Sequence, residues 1–315
     1  MARVLVTRRL PGDCLDLLAD HEIVVANPDD EPLSPAALRK AARGVDAVIC
    51  LLTDRIDEAF FNAIDPRLKV VANVAVGVDN IDLTAAVRHG VTVCNTPGVL
   101  DETTADIAFL LILAASRLSS DAEADLREGR WLGFRIDQFL GRDVHGATLG
   151  VVGFGRIGQA VARRAEGFGM RVLHHSRRDT GHKGYVASLD ELLAGVDIVS
   201  LHIPGGPDTE QIIDARRLAL MRPSAVLVNT ARGSVVDEVA LARALENGAL
   251  HAAGIDVYED EPRVHPQLLA APRTVLLPHI GSASLATRSE MARLAASGVA
   301  AVLRGEAPQN RFVPG

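Results

Sequence analysis

Short runs of β-branched and aliphatic residues alternate along the chain with segments whose apolar residues recur every three to four positions. That alternation predicts parallel α/β sheets covered by helices. Over the first hundred residues, strands are expected at Val4–Val6, Ile23–Val25, Ala47–Cys50, Val70–Val74 and Val91–Cys94. A first helix falls near Pro11–Ala19, and Ser34 followed by Pro35 supplies a cap and a first-turn residue for the next. A second, longer series begins after Pro97-Gly98. Its strands are expected at Thr148–Val152, Val172–His174, Ile198–His202, Val226–Thr230, Ala252–Val257 and Val275–Pro278. One helix should start at Thr103 or Thr104 and run through Leu113, and another should cover Ile157–Phe168. The capping box Ser188-x-x-Glu191 opens a third, Asp237 starts a fourth that Gly248 can close, and Ser284–Leu303 forms the last. The helix reaching Leu113 is apolar in every direction, which predicts burial on all sides, between domains or subunits. The last helix lies beyond the second series and is expected to cross back to the first.

The length of 315 residues fits about two domains at roughly 150 residues each. With 48% hydrophobic and 23% charged residues the chain should fold rather than stay disordered. Lys and Arg number 33 against 40 Asp and Glu, a net charge of −7 that argues against non-specific binding to nucleic acid or anionic membranes. Eight Phe, two Tyr and one Trp also leave little for base stacking. Cys14, Cys50 and Cys94 are odd in number and lack C-x-x-C spacing, so neither a disulfide framework nor a metal site is expected. A reducing, cytoplasmic setting follows from that. The N-terminal residues read as a strand and not as a secretory segment. The longest apolar run, Ile107 to Ala115, is far short of the roughly 20 residues that a bilayer requires.

Gly153-Phe154-Gly155-Arg156-Ile157-Gly158 is a G-x-G-x-x-G sequence that follows an apolar strand and opens a helix. In that context the glycines permit a tight turn and close approach of a pyrophosphate to the helix amides. A glycine-rich turn without a ligand is the plainer alternative. An acid would be expected at the end of the next strand if the ribose carried a free 2′-hydroxyl. The chain has Ser176 there, about 18 residues past Gly158, followed by Arg177 and Arg178. Guanidinium groups can pair with a 2′-phosphate, which favours NADPH over NADH while leaving NADH possible.

Three further residues lie just past the carboxyl ends of expected strands, where open α/β sheets bind ligands. They are Arg232, Glu261 and His279. Reduction of a 2-oxo acid needs a cation for the carboxylate and a proton donor for the developing alkoxide, and a carboxylate beside the donor would raise its pKa. Taken singly, Arg232 and Glu261 also fit solvated loops, and His279 fits a satisfied strand-end histidine.

Together with Val76-Gly77-Val78-Asp79-Asn80-Ile81-Asp82, Asn95-Thr96-Pro97-Gly98, Asn229–Val236 and Pro278–Ala283, these segments resemble the D-isomer-specific 2-hydroxyacid dehydrogenase family over nearly the whole chain. The resemblance implies a flavodoxin-like substrate domain, residues 1–98 and 285–315, with an inserted Rossmann dinucleotide-binding domain, residues 99–284. It implies that Arg232 orients the substrate, that His279 is the acid–base and that Glu261 is its partner. Backbone amides around Val76 and Gly77 would hold the carboxylate, and Leu52 would line the pocket. Beyond the glycine loop and the Ser176–Arg178 turn, it places Thr104, His202, Pro204, Thr209, Thr230, Ala231, Asp256 and Gly281 at the cofactor.

Within the family the chain is most similar to the glyoxylate and hydroxypyruvate reductase branch, on the basic Ser176–Arg178 turn, Cys50–Asp54 and Leu303–Glu306. A homodimer is implied, with Trp131 in a segment that either reaches the neighbouring active site or anchors an interface. Gly205-Gly206 replaces the Leu-Thr or similar pair of many members, which puts the contacts of that cofactor-bordering loop in question. The expected activity is NADPH-preferring reduction of small 2-oxo acids. D-3-phosphoglycerate dehydrogenase is a rival reading; phosphite and formate dehydrogenases rank lower. A dinucleotide-sensing scaffold on the same fold is the rival of a different class.

Overall fold

Among the described residues, strands pair only in parallel and form two separate sheets. The computed structural model describes residues 1–27, 29, 31–64 and 66–313. Met1–Leu100 with Ser282–Gly315 form one compact unit, and Asp101–Gly281 form the other. The sequence reading cuts the chain after 98 and after 284; positions 28, 30, 65, 314 and 315 of its first domain lie outside the described residues.

The first unit contains β1 (Arg3–Val6), β2 (Glu22–Val25), β3 (Ala47–Cys50), β4 (Val70–Asn73) and β5 (Thr92–Cys94) in the order β2-β1-β3-β4-β5, the flavodoxin-like arrangement. Its helices α1 (Pro35–Ala41), α2 (Glu58–Ala63) and α3 (Leu83–Arg88) begin at Ser34, Asp57 and Asp82, whose side chains accept amide hydrogens of the first turn. β3 and β4 are buried along their whole length, which explains the apolar runs 47–50 and 70–72. The helix expected near Pro11–Ala19 is only a 3-10 stretch, Cys14–Leu18. Pro11 precedes Gly12, whose φ of 75° is outside the helical region, and Asp13 makes no capping bond.

The second unit contains β6 (Thr148–Val152), β7 (Arg171–His175), β8 (Ile198–Leu201), β9 (Val226–Asn229), β10 (Ala252–Ile255) and β11 (Thr274–Leu276). Their order is β7-β6-β8-β9-β10-β11, and Tyr185 makes a single parallel bridge to His174 of β7. Counting that bridge as a vestigial third strand, the order becomes the 3-2-1-4-5-6 of a Rossmann sheet, extended by one. Its helices are α4 (Asp101–Ser116), α5 (Ser119–Arg127), α6 (Arg156–Gly167), α7 (Leu189–Gly195), α8 (Ala215–Leu218), α9 (Glu238–Glu246) and α10 (Pro266–Ala270). The remaining helix, α11 (Leu285–Leu303), belongs to the first unit, where it packs on β3, β4 and β5.

One expectation about α4 needs correction. It starts at Asp101, so Thr103 and Thr104 sit inside its first turn and not before it; Asp101 and Glu102 put negative charge at the positive end of the helix dipole. Within the single chain α4 keeps one exposed side. Glu102, Asp106 and Leu110, spaced by four, form an exposed line, and Leu110 is 48% exposed. Arg164 of α6 pairs with Glu102 at 2.8 Å and Asp106 at 2.5 Å along that line. No single helix among the described residues is long and apolar enough to cross a membrane.

Candidate active site

The turn from β6 to α6 stands where the sheet changes direction, between β7 and β8, the switch point at which such sheets bind ligands. Each glycine there has its own reason. Gly153 has φ of 92°, and a Cβ on it would lie 2.4 Å from the His202 carbonyl oxygen. A Cβ on Gly158 would lie 2.2 Å from the Gly153 carbonyl oxygen, so only glycine lets the helix sit this close to the strand. Gly155, in contrast, has an ordinary φ of −78° and nothing within 4 Å. It caps α6 without a side-chain bond, and Arg156 and Ile157 open the helix, whose first amides have no partner within it. Phe154 stacks on the buried ring of His174 at 3.8 Å and 16°, fixing the turn against β7.

Other residues of this unit surround the same sheet edge. His202 follows β8 and shares a 2.8 Å hydrogen bond with Ser200; burial holds its pKa down to about 4, so it is neutral near pH 7. The Thr209 hydroxyl donates to the Pro204 carbonyl at 2.7 Å, which folds the loop after β8. Thr230 and Ala231 follow β9, and the Thr230 hydroxyl oxygen is buried without a hydrogen-bond partner among the described residues. A Cβ on Gly281 would come within 3.5 Å of the Thr104 methyl group. After β7, the Ser176 hydroxyl donates to the Arg178 carbonyl at 2.7 Å and closes a turn from which Arg177 and Arg178 project, both exposed. An open glycine at a helix start, an orphaned hydroxyl and two exposed arginines fit a dinucleotide.

Glu261 and His279 lie 18 residues apart in sequence and are hydrogen-bonded, Nδ1 to Oε2 at 2.8 Å and to Oε1 at 3.0 Å. An ionised carboxylate only accepts, so Nδ1 carries the proton and Nε2 remains for another partner. Burial pushes the Glu261 carboxyl up. The bond and charge of His279, the Tyr258 N–H and the charge of Arg232 outweigh it, and the group lies below the usual carboxylate range. His279 has a left-handed φ of 52°. Its N–H donates to the Asp256 carbonyl at 2.8 Å, and the Asp256 carboxylate accepts from the N–H groups of Ile280 and Gly281, both at 2.8 Å. Burial nonetheless pushes the Asp256 carboxyl above its ordinary range. Arg232 follows β9, with its carbonyl held by the Asn229 side chain at 2.8 Å. A Cβ on Gly233 would fall 1.8 Å from the Tyr258 carbonyl carbon, so the Arg232 turn abuts the loop of Glu261 directly.

In the first unit, Leu52 follows β3 and is 38% exposed, while Val76 and Gly77 lie half-buried in the loop after β4.

Residues 109–281 match the family model described as D-isomer specific 2-hydroxyacid dehydrogenase, NAD binding domain. A glyoxylate reductase of Thermococcus onnurineus is 45% identical, covering 97% of this chain and 94% of its own. The chain belongs to the D-isomer specific 2-hydroxyacid dehydrogenase family. It is an NAD(P)-dependent oxidoreductase and resembles the glyoxylate reductases within that family. Among solved structures, a protein of Thermus thermophilus is 44% identical with a TM-score of 0.93, covering 99% of this chain and all of its own. An NADPH-dependent glyoxylate/hydroxypyruvate reductase of Sinorhizobium meliloti, in complex with NADP and malonate, is 35% identical with a TM-score of 0.86, covering 99% and 97%.

For this dehydrogenase the second unit brings together Arg232, Glu261 and His279, and groups the glycine loop with the Ser176–Arg178 turn on one sheet edge. Sequence reasoning missed the residues that hold them. Asn229 grips both sides of the Arg232 turn, since its Oδ1 also accepts from the Ala231 N–H at 3.0 Å. Glu238, read only as part of a helix start, is buried and accepts from the N–H groups of Glu259 at 2.7 Å and His265 at 3.3 Å, clamping both ends of the Glu261 loop. In the sequence it is only an acid after a capping Asp, and no local signal marks its role. The Gly205-Gly206 departure acquires a reason: a Cβ on Gly205 would press on the Arg232 stem at 3.1 Å, and Gly206 has φ of 137°.

Proposed function

We propose that this dehydrogenase reduces glyoxylate, hydroxypyruvate and similar small 2-oxo acids to 2-hydroxy acids, preferring NADPH to NADH. The reading is carried by the Glu261–His279 hydrogen bond in one unit with Arg232. When bound, the nicotinamide supplies a hydride to the carbonyl carbon. His279 delivers the proton from Nε2 to the carbonyl oxygen, and Glu261 stabilises the imidazolium before that transfer. Arg232 takes the carboxylate and polarises the carbonyl. Backbone amides around Val76 and Gly77 also hold the carboxylate, and Leu52 lines the pocket. Relatives named glyoxylate reductases support the substrate class. The cofactor preference is supported by Ser176 where an acid would repel a 2′-phosphate, and by the exposed Arg177 and Arg178 beside it.

The working unit in this reading is a cytoplasmic homodimer, in keeping with three free, buried cysteines. Its interface includes the segment Trp131 to Leu140, where Leu132, Phe134 and Ile136 are each more than 80% exposed in the single chain.

The test follows NADPH and NADH oxidation with glyoxylate, hydroxypyruvate, pyruvate and phosphohydroxypyruvate. Glyoxylate and hydroxypyruvate should turn over with NADPH preferred, and His279→Ala should lose roughly 10²- to 10⁴-fold in kcat. Near-normal turnover by His279→Ala would overturn the acid–base role, and a preference for NADH would overturn the cofactor assignment.

A further inference from the structure

We propose that Asn73 and Asn95 are positioning residues that shape the loop after β4 into a cradle for a carboxylate. The inference rests on the reading that amides around Val76 and Gly77 hold the substrate's carboxylate, and it says what makes those amides available.

Three consecutive carbonyls of this loop are turned into the unit and each is bonded. Ala75 accepts from the Thr96 N–H at 2.9 Å, Val76 from the Asn95 side-chain amide at 2.8 Å, and Gly77 from the Asn73 side-chain amide at 2.8 Å. In a planar trans peptide the following N–H points opposite to the carbonyl. The N–H groups of Val76, Gly77 and Val78 therefore point away from the partners of those carbonyls, and no acceptor for them is found among the described residues. Successive outward N–H groups form an anion-binding concavity. Main-chain pairing alone would secure only the first of the three peptides, through Thr96. The other two are set by asparagine side chains.

Both asparagines are themselves held. Asn73 is fully buried; its amide also donates to Asn80 Oδ1 at 3.0 Å. Asn80 in turn donates to the carbonyls of Leu51 at 3.1 Å and Asp54 at 2.9 Å, so Asn73 couples the carboxylate loop to the loop that carries Leu52. Asn95 is buried at the end of β5, and its main chain is clamped by Asn310, which accepts from the Asn95 N–H at 3.2 Å and donates to its carbonyl at 2.9 Å. Neither side chain needs to touch substrate. Each fixes the direction of one peptide plane.

Asn95→Ala is the cleaner variant, since Asn73 sits at the centre of a larger network. The probe is oxamate, an unreactive analogue of a 2-oxo acid, titrated into the NADPH-loaded enzyme, together with steady-state kinetics on glyoxylate. Loss of one positioned donor should weaken oxamate binding and raise the glyoxylate KM by roughly tenfold to a hundredfold. NADPH affinity should stay within about twofold, which a general loss of structure would not allow. If Asn95→Ala does not fold, Asn95→Ser is read the same way, because its hydroxyl is too short to span the bond to Val76. Oxamate binding within twofold of wild type in the folded variant overturns the inference. A wild-type enzyme that neither binds oxamate nor reduces glyoxylate overturns the underlying reading instead.

Discussion

At the scale of single residues, the site depends on held backbone as much as on reactive side chains. His279 occupies a left-handed conformation that costs a non-glycine residue free energy, and it is kept there by the main chain and carboxylate of Asp256. Glu261, with its pKa below the ordinary range, is ionised throughout the neutral region. The sign for stability follows: its contribution is present above the unfolded carboxyl pKa of about 4.3 and is lost as pH falls through the lower folded value. For catalysis, Glu261→Gln removes the charge facing the imidazole. We expect the alkaline limb of glyoxylate reduction to move to lower pH and kcat to fall by roughly tenfold or more. A kcat/KM profile against pH checks this, and an alkaline limb that stays in place would separate Glu261 from the proton transfer.

At the scale of elements, the glycine loop divides into positions that the fold requires and one that a ligand would require. Gly153→Ala forces a Cβ onto the His202 carbonyl at a φ of 92° and should destabilise the protein by about 1–3 kcal/mol. Gly155→Ala meets nothing and keeps an allowed φ, so its stability cost should stay within about 1 kcal/mol. It should still weaken NADPH binding by at least about tenfold, because the added methyl fills the space at the start of α6. Thermal melts with and without NADPH measure both effects. A Gly155→Ala variant with wild-type affinity would argue that no phosphate approaches there.

At the scale of the whole molecule, the net charge of −7 and the apolar surface act on different partners. The charge disfavours polyanions, while small anions can still meet Arg177, Arg178 and Arg232. The apolar segment from Trp131 to Leu140 is larger than scattered surface hydrophobics and calls for a cover. Light scattering should give twice the chain mass of 33.4 kDa, and Leu132→Glu with Phe134→Glu should shift the mass toward the monomer. A monomeric mass for the unaltered protein would contradict the homodimer.

Local chemistry by itself determined a good deal. Mostly apolar runs marked β3, β4, β8 and β9, interrupted only by Asn73, Ser200 and Asn229, because strands covered on both faces carry few polar side chains. Ser34, Ser188, Asp237 and Ser284 marked helix starts, because a capping oxygen needs only the next turn of backbone. The G-x-G-x-x-G turn was legible for the same reason. Reading Thr103 or Thr104 as a cap failed because a threonine inside the first turn looks the same in sequence as one before it. The pairing of Glu261 with His279, the grip of Asn229 on Arg232, the clamp of Glu238 and the asparagine-set amides after β4 belonged to the tertiary structure. Each joins groups whose meeting depends on how strands pair and loops close, and a hydrogen bond across such a gap leaves no period in the chain.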